Sequence, residues 1–237
     1  MEIKYIGKCL HFKFGDKKYL VVGDLHLGFE ESLNETGVFV NREMFKEMKK
    51  EFEEVFKKIG KVDKIILLGD VKHNFSKNLN QEWIEVLNLF DYFIDEKKVV
   101  EIVITKGNHD NYLSNITRGK KVRLVECYSV GETCFFHGNK IYDGMNDKKI
   151  KRWVFGHMHP AIILEDNGKK EKYKCFLMGK YGGREVIVLP SFSNIRIGSD
   201  VRVHSEKIPF KINWDNFSVL VVGENLKNLS FGKLKDI

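Results

Sequence analysis

The pattern of apolar and polar positions switches between strand-like runs and helical spacing along the first half of the chain and settles into short β-prone runs in the second. Tyr19–Val22 is a brief apolar run that stops at Gly23-Asp24. From Asn41 to Ile59 the residues Met44, Phe45, Met48, Phe52, Val55, Phe56 and Ile59 recur at three- and four-residue intervals. That spacing predicts an amphipathic helix, with Asn41 suited to its N-cap and Gly60 to its end. Lys64–Leu68 reads as a continuous apolar strand ending at Gly69-Asp70. A second helix over about Gln81–Asp95 carries Trp83, Ile84, Leu87, Phe90 and Ile94 on one stripe, and Val99–Thr105 is a strand ending at Gly107-Asn108-His109-Asp110.

Strand, helix, strand, helix, strand in this order implies parallel strands joined by right-handed crossovers. Reactive groups in such sheets gather at the carboxyl ends of the strands. From about Lys121 onward, Thr133–Phe136, Arg152–Phe155, Ala161–Leu164, Tyr173–Leu177, Glu185–Leu189 and Phe217–Val222 are short and β-prone, without a clear long helix. The expected architecture is α/β, two packed mixed sheets with helices outside, in a single domain over residues 1–237.

Composition refines this picture in four respects. With 43% apolar residues the chain can bury a large core, which excludes a disordered protein. The four cysteines, at 9, 127, 134 and 175, form no C-x-x-C pair, which fits reduced thiols better than a disulfide framework or a structural zinc site. No signal-peptide core or membrane-length apolar stretch is present, so a cytoplasmic protein without membrane contact is expected. The formal net charge of +7 tilts toward polyanionic partners, although lysine-rich composition with a single alanine, Ala161, gives that tilt little weight.

Five short motifs carry the candidate chemistry: Gly23-Asp24-Leu25-His26, Gly69-Asp70, Gly107-Asn108-His109-Asp110, His137-Gly138 and Gly156-His157-Met158-His159. Each follows a strand-like run. In an extended segment His157 and His159 would point to one side and reach one object. Two carboxylates, an amide oxygen and four imidazoles suit two borderline divalent ions; the set is too rich in nitrogen for Ca2+ or Mg2+. One such motif means little, but five of the eight histidines fall inside them.

The order resembles the calcineurin-like metallophosphoesterase superfamily, with its D-x-H, G-D, G-N-H-[DE], H and G-H-x-H pattern, over roughly residues 18 to 192. The resemblance implies a four-layered α/β/β/α sandwich. It implies a first metal held by Asp24, His26, Asp70 and His159 and a second by Asp70, Asn108, His137 and His157, with Asp70 bridging. Water activated between the metals would attack phosphorus, and His109 would contact the phosphate and protonate the leaving oxygen. Asp110 either orients the His109 ring or serves as a turn carboxylate. Mn2+ is the expected metal, and Fe2+ and Zn2+ share these ligands.

Further segments resemble the compact ICC-like branch related to ligase-associated DNA-damage-response endonucleases: Asp24-Leu25-His26-Leu27-Gly28 with Glu30 and Gly37, then Gly69-Asp70-Val71-Lys72-His73, then Leu189-Pro190-Ser191-Phe192. Asn74 departs from that branch, where glutamate is common. This resemblance implies a phosphodiesterase acting on nucleic acid, a DNA endonuclease with a place in repair. The competing reading is a phosphodiesterase or phosphatase for cyclic nucleotides or nucleotide esters. A scaffold without turnover is disfavoured, because all seven ligand positions and His109 are kept.

Several residues have two readings. His73, with Lys72, either faces the substrate phosphate or stands in an exposed loop. Gly28–Val40 is either a groove-lining loop or a surface connection packed by Leu33, Val38 and Phe39. The clusters Lys120-Lys121-Arg123, Lys148-Lys149-Lys151-Arg152 and Lys169-Lys170 read better as charged turns than as phosphate contacts, as do Arg196 and Arg202 as solvated charge. His11 and His204 read as structural or surface residues.

Overall fold

A computed structural model of the chain describes residues 2–203 and 208–237; His204 lies outside the described residues. Strands β1 (Ile3–Ile6), β2 (Cys9–Phe14) and β3 (Lys17–Val22) run antiparallel to one another. Strands β4 (Lys64–Leu67), β5 (Glu101–Thr105) and β6 (Val122–Val125) continue the sheet in order, each parallel to the one before and β4 parallel to β3. The strand–helix alternation read from the sequence is therefore a parallel sheet, extended by an N-terminal hairpin that the apolar pattern did not separate.

Among the described residues the second sheet has nine strands. They are β7 (Cys127–Val130), β8 (Thr133–Phe136), β9 (Arg152–Phe155), β10 (Pro160–Asp166), β11 (Lys169–Tyr181), β12 (Arg184–Val188), β13 (Ser199–Asp200), β14 (Ser218–Val222) and β15 (Asn228–Lys233). Strand β9 lies between β8 and β12 and is parallel to both, while β10, β11 and β12 pair antiparallel. Both sheets are thus mixed, as the sequence implied.

Side-chain alternation sorts the core into three layers. Leu20 and Val22 of β3, with Ile65 and Leu67 of β4, face the helices α2 (Met44–Ile59) and α3 (Asn80–Asp91). Their neighbours Val21, Ile66 and Leu68 face the second sheet, where they meet Phe135, Val154, Phe176 and Ile187. Phe12 stacks on Tyr19 at 4.7 Å and on Phe135 at 5.6 Å across this interface. The outer face of the second sheet, including Phe136, Trp153 and Phe155, is covered by Tyr142, Met145, Phe210 and Leu234. Among the described residues the 3-10 turns Asp143–Asn146 and Leu234–Asp236 contribute to that cover through Met145 and Leu234.

Two local expectations need correction. Helix α2 begins at Met44, and its first amides are capped from elsewhere: the Glu43 and Met44 N–H groups both donate to Glu30 Oε1 at 3.0 Å. A remote carboxylate thus replaces the cap expected at Asn41. The Gly28–Val40 segment is not a plain loop, since Phe29–Glu35 is helical; Val38 and Phe39 are exposed rather than packed. The four cysteines are free, and among the described residues no helix is long and apolar enough to cross a membrane.

Arg202 is absorbed by structure. Its Nη2 meets Asp200 Oδ2 at 2.7 Å, and the other Asp200 oxygen accepts Arg202 N at 3.0 Å. Burial alone would raise the Asp200 carboxyl, but Arg202's hydrogen bonds bring it down to about 2. A folded-state value below the unfolded one means stability that is complete above the ordinary carboxylate range and is lost as pH falls from about 4 towards 2. Asp200→Asn is expected to flatten that part of the acid-denaturation profile relative to wild type; parallel urea titrations of both proteins between pH 2 and 5 check it.

Candidate metal centre

The five motifs meet at one end of the two sheets. Asp24 and His26 follow β3, Asp70 follows β4, Asn108 and His109 follow β5, His137 follows β8, and His157 and His159 follow β9. The loops are stitched together by their backbones. Leu25 N and His26 N donate to Asp70 O at 3.1 and 2.9 Å, and Gly156 N donates to His137 O at 3.0 Å. Phe192 N, Ser193 N and the Ser191 hydroxyl all donate to Asp24 O, so the loop after β12 backs the first carboxylate.

Close approach explains the glycines. A Cβ on Gly107 would lie 2.2 Å from Asp70 Oδ1, and one on Gly156 would lie 2.5 Å from Asp24 Oδ2. Four motif residues hold left-handed backbones: His26 (φ 50°), Asp70 (46°), His157 (65°) and His159 (44°). Side chains other than glycine enter that region at a cost, and such outliers concentrate where geometry serves function.

The side chains form two nests that share Asp70. In one, His137 Nε2 lies 3.1 Å from Asn108 Oδ1, 3.1 Å from His157 Nδ1 and 3.5 Å from Asp70 Oδ1. His137 Nδ1 is 2.7 Å from Leu68 O and carries the hydrogen there, which leaves Nε2 as an acceptor. In the other nest, His26 Nε2 and His159 Nε2 are 3.4 Å apart, His159 Nε2 is 3.3 Å from Asp24 Oδ1, and His26 Nε2 is 3.8 Å from Asp70 Oδ2. The trios Asp24/His26/His159 and Asp70/His137/His157 each offer donor atoms within 4.8 Å of one another. Two nitrogens bound to one ion at about 2.1 Å sit roughly 3.0–3.4 Å apart for octahedral to tetrahedral angles. The donor set and its spacing therefore fit a pair of divalent cations.

Burial sets the charge states. His26 is held well below its ordinary range and His137 is lowered, in both cases chiefly because burial disfavours the cation. Neutral imidazole is the form that binds metal. Burial would raise Asp24, but the surrounding histidines, His159 foremost, outweigh it and keep this carboxyl below its usual range. Asp70 is raised to about 6 by burial and by the neighbouring Asp24 charge.

His109 stands beside the shared carboxylate, with Nε2 4.0 Å from Asp70 Oδ2. Its ring is oriented by a contact between Nδ1 and the His73 carbonyl, not by Asp110. The Asp110 carboxylate accepts Val71 N at 2.9 Å and Gly107 N at 2.8 Å, which settles its role as a turn carboxylate. His73 packs against this group, with Nδ1 3.4 Å from His26 Nδ1 and its ring stacked 5.4 Å from that of His109. Lys72 faces away. It is fully buried, lies 3.5 Å from Glu82, and donates to the Asn74 and Lys77 carbonyls. Glu82 in turn accepts His73 N at 2.9 Å and Asn74 N at 2.7 Å.

Of the sequence-derived candidates, all seven metal positions and His109 come together here, while Lys72, Asp110, His11 and Arg202 do not join them. His11 sits half-buried in β2. Each of the basic clusters has a member in an ion pair: Lys120 with Asp91, Lys169 with Glu171 and Arg152 with Glu185, all at 2.5 Å. The buried carboxylates Glu82 and Glu85, the latter accepting Gly28 N at 2.9 Å, carried no signal in the sequence.

A pocket of acceptors at strand ends, drawn from two stacked sheets, is the signature of a metal-dependent hydrolase. The chain belongs to the calcineurin-like phosphoesterase family, whose model matches residues 17–145, and it hydrolyses phosphoester bonds. His157 and His159 lie beyond that match and are carried in by β9. Among solved structures, the Pseudomonas putida nuclease MPE is 14% identical with a TM-score of 0.60, covering 93% of this chain and 100% of its own. The E. coli phosphoesterase YfcE is 13% identical with a TM-score of 0.42, covering 91% of this chain and 97% of its own. At such identities the likeness is one of fold. A comparison with curated proteins found no match.

Gly107→Ala is expected to destabilise the protein by about 1–3 kcal/mol, because the added methyl must displace Asp70. Guanidinium chloride unfolding of the metal-free protein measures it without reference to activity.

Proposed function

We propose that the protein is a dinuclear-metal phosphodiesterase acting on nucleic acid. The observation that carries this reading is the position of Asp70, whose two oxygens face the two imidazole nests separately. Asp24, His26, Asp70 and His159 would hold one cation and Asp70, Asn108, His137 and His157 the other. When bound, a pair of such ions supplies Lewis acidity to a phosphate and makes water acidic enough to attack at neutral pH. Mn2+ is the proposed metal, on the strength of the mixed oxygen and imidazole donors.

The chain's own groups do the rest. The Asp24 carboxylate is held in place by the His157 N–H, shared between its two oxygens at 3.1 Å each. His109 presents Nε2 to the open side while Nδ1 is committed to the His73 carbonyl, so one nitrogen exchanges a proton with the leaving oxygen while the other keeps the ring in place. His73, packed on the same ring, belongs to the rim that meets the phosphate.

Nucleic acid is favoured over a small ester by the rim. Phe75 is 62% exposed with its ring 6.1 Å from that of His109, and Tyr112 is 56% exposed on the turn that carries Asp110. Aromatic faces of this kind stack bases without regard to sequence. They come from separate loops, one following β4 and one following β5. The Pseudomonas putida neighbour is described as a nuclease, in keeping with this reading. A role in DNA repair is part of the same proposal, and the branch-like motifs support it.

With Mn2+ the wild type is expected to hydrolyse bis-p-nitrophenyl phosphate and to cleave DNA, the latter falling steeply with added salt. Asp70→Asn should lower turnover by about a hundredfold or more and reduce bound metal in elemental analysis. His109→Ala should impair DNA cleavage more than release of p-nitrophenolate, since a good leaving group needs little protonation. Wild-type turnover in both variants would refute the site assignment, and no DNA binding at low salt would leave the small-ester reading in its place.

A further inference from the structure

Beside the His26/His73 flank of the centre lies a cation that the assigned roles do not use. Arg196 lays its guanidinium over the Phe29 ring at 5.5 Å, and that ring packs edge-on against His73 at 4.7 Å. No carboxylate among the described residues pairs with it, and its buried Nε has no hydrogen-bond partner. Of the other arginines of the second half, Arg152 is committed to Glu185, Arg202 to Asp200 and Arg184 to the carbonyl of Ile150, while Arg123 lies over the Tyr128 ring at 5.3 Å. Arg196 also lines a cleft of about 290 Å³ whose wall includes one of the proposed metal ligands, His159, together with Gly198 and Ser199.

The loop that carries this arginine is built to hold it there. Lys174 points its ammonium into the loop and donates to Ser191 O at 2.7 Å, Ser193 O at 2.6 Å and Arg196 O at 2.5 Å. Lys8 donates to Phe192 O at 2.7 Å and Asn194 Oδ1 at 2.7 Å, and pairs with Glu51 at 2.6 Å. Two ammonium groups thus organise six residues of chain around their carbonyls. An unpaired guanidinium held at the mouth of a phosphate site is a ready partner for another phosphate, which it can grip through two parallel hydrogen bonds.

We propose that Arg196 is a specificity-determining residue that forms a second anion subsite, taking the phosphate next to the scissile one. The substrate class selected is one with at least two phosphates separated by a sugar: an oligonucleotide strand or a phosphorylated nucleotide ester. This rests on the phosphodiesterase reading above and narrows it. A charge-assisted pair of hydrogen bonds at such a subsite is worth about tenfold or more in affinity.

The test uses matched esters with Mn2+: thymidine 3′-(p-nitrophenyl phosphate) with and without a 5′-phosphate, and the 5′-ester with and without a 3′-phosphate. Wild type is expected to prefer the doubly phosphorylated member of at least one pair by about tenfold in kcat/KM. Arg196→Met, which keeps the apolar stem on Phe29, should erase the preference, and Arg196→Lys should retain part of it. Phe29→Leu, which removes the platform and leaves the charge, should weaken it. Calorimetry with thymidine 3′,5′-bisphosphate against thymidine 5′-monophosphate on the metal-loaded proteins reads the same ratio without turnover. An undiminished ratio in Arg196→Met with a wild-type melting temperature, or no preference in wild type by either readout, overturns the subsite. Failure of wild type to hydrolyse any ester overturns the phosphodiesterase reading instead, and the calorimetric ratio still judges Arg196.

Discussion

The structure depends on holding two buried carboxylates, Asp24 and Asp70, close enough to feel one another's charge. Water is excluded from both, so each must be satisfied locally. Asp24 takes the His157 amide and Asp70 takes the His109 amide at 2.9 Å. Those donors are aimed correctly only because His157, Asp70 and their neighbours accept left-handed backbones and because glycines leave room beside the oxygens. The sheets can be understood as the frame for that arrangement. Parallel strands deliver several chain ends to one edge, and stacking a second sheet delivers two more from the opposite side.

A second tier of buried charge keeps the loops in register. Glu30, Glu82 and Glu85 each bind backbone amides of a neighbouring loop or helix start, and Lys72 pairs with Glu82 within the core. Removing one partner of such a pair strands the other and typically costs about 3–5 kcal/mol. The loops next to the site are therefore fixed by electrostatics more than by apolar packing, which suits segments that must stay ordered while presenting polar groups.

The fold and the ligand positions were legible because they are written locally. Helix periodicity from Met44 to Ile59 and glycine-bounded motifs after each strand need no knowledge of distant residues. What escaped was whatever depends on how the folded loops aim their backbone groups and side chains at one another. Glu30 caps a helix that begins at Met44, so Asn41 looked like the better cap. Lys72 follows Asp70 by two positions and looked like a phosphate contact, yet the carbonyls of Asn74 and Lys77 and the carboxylate of Glu82 turn it inward. Asp110 looked equally able to orient His109 or to close a turn, and only the positions of the Val71 and Gly107 amides decide between the two. Lys174 and Arg196 lie in a stretch with no motif of their own, and their relation exists only once β11 and the loop after β12 are side by side.

Lys8 sits in the bend between the first two strands, at the opposite end of the polypeptide from Phe192 and Asn194, whose oxygens it holds. The amino-terminal hairpin therefore doubles as a buttress for a loop almost two hundred residues downstream. Trimming that hairpin, or burying it under an affinity tag, would unsettle the rim of the pocket while leaving every liganding side chain intact. Natural variation in this corner of the molecule offers a route by which selectivity drifts without any change to the reacting groups.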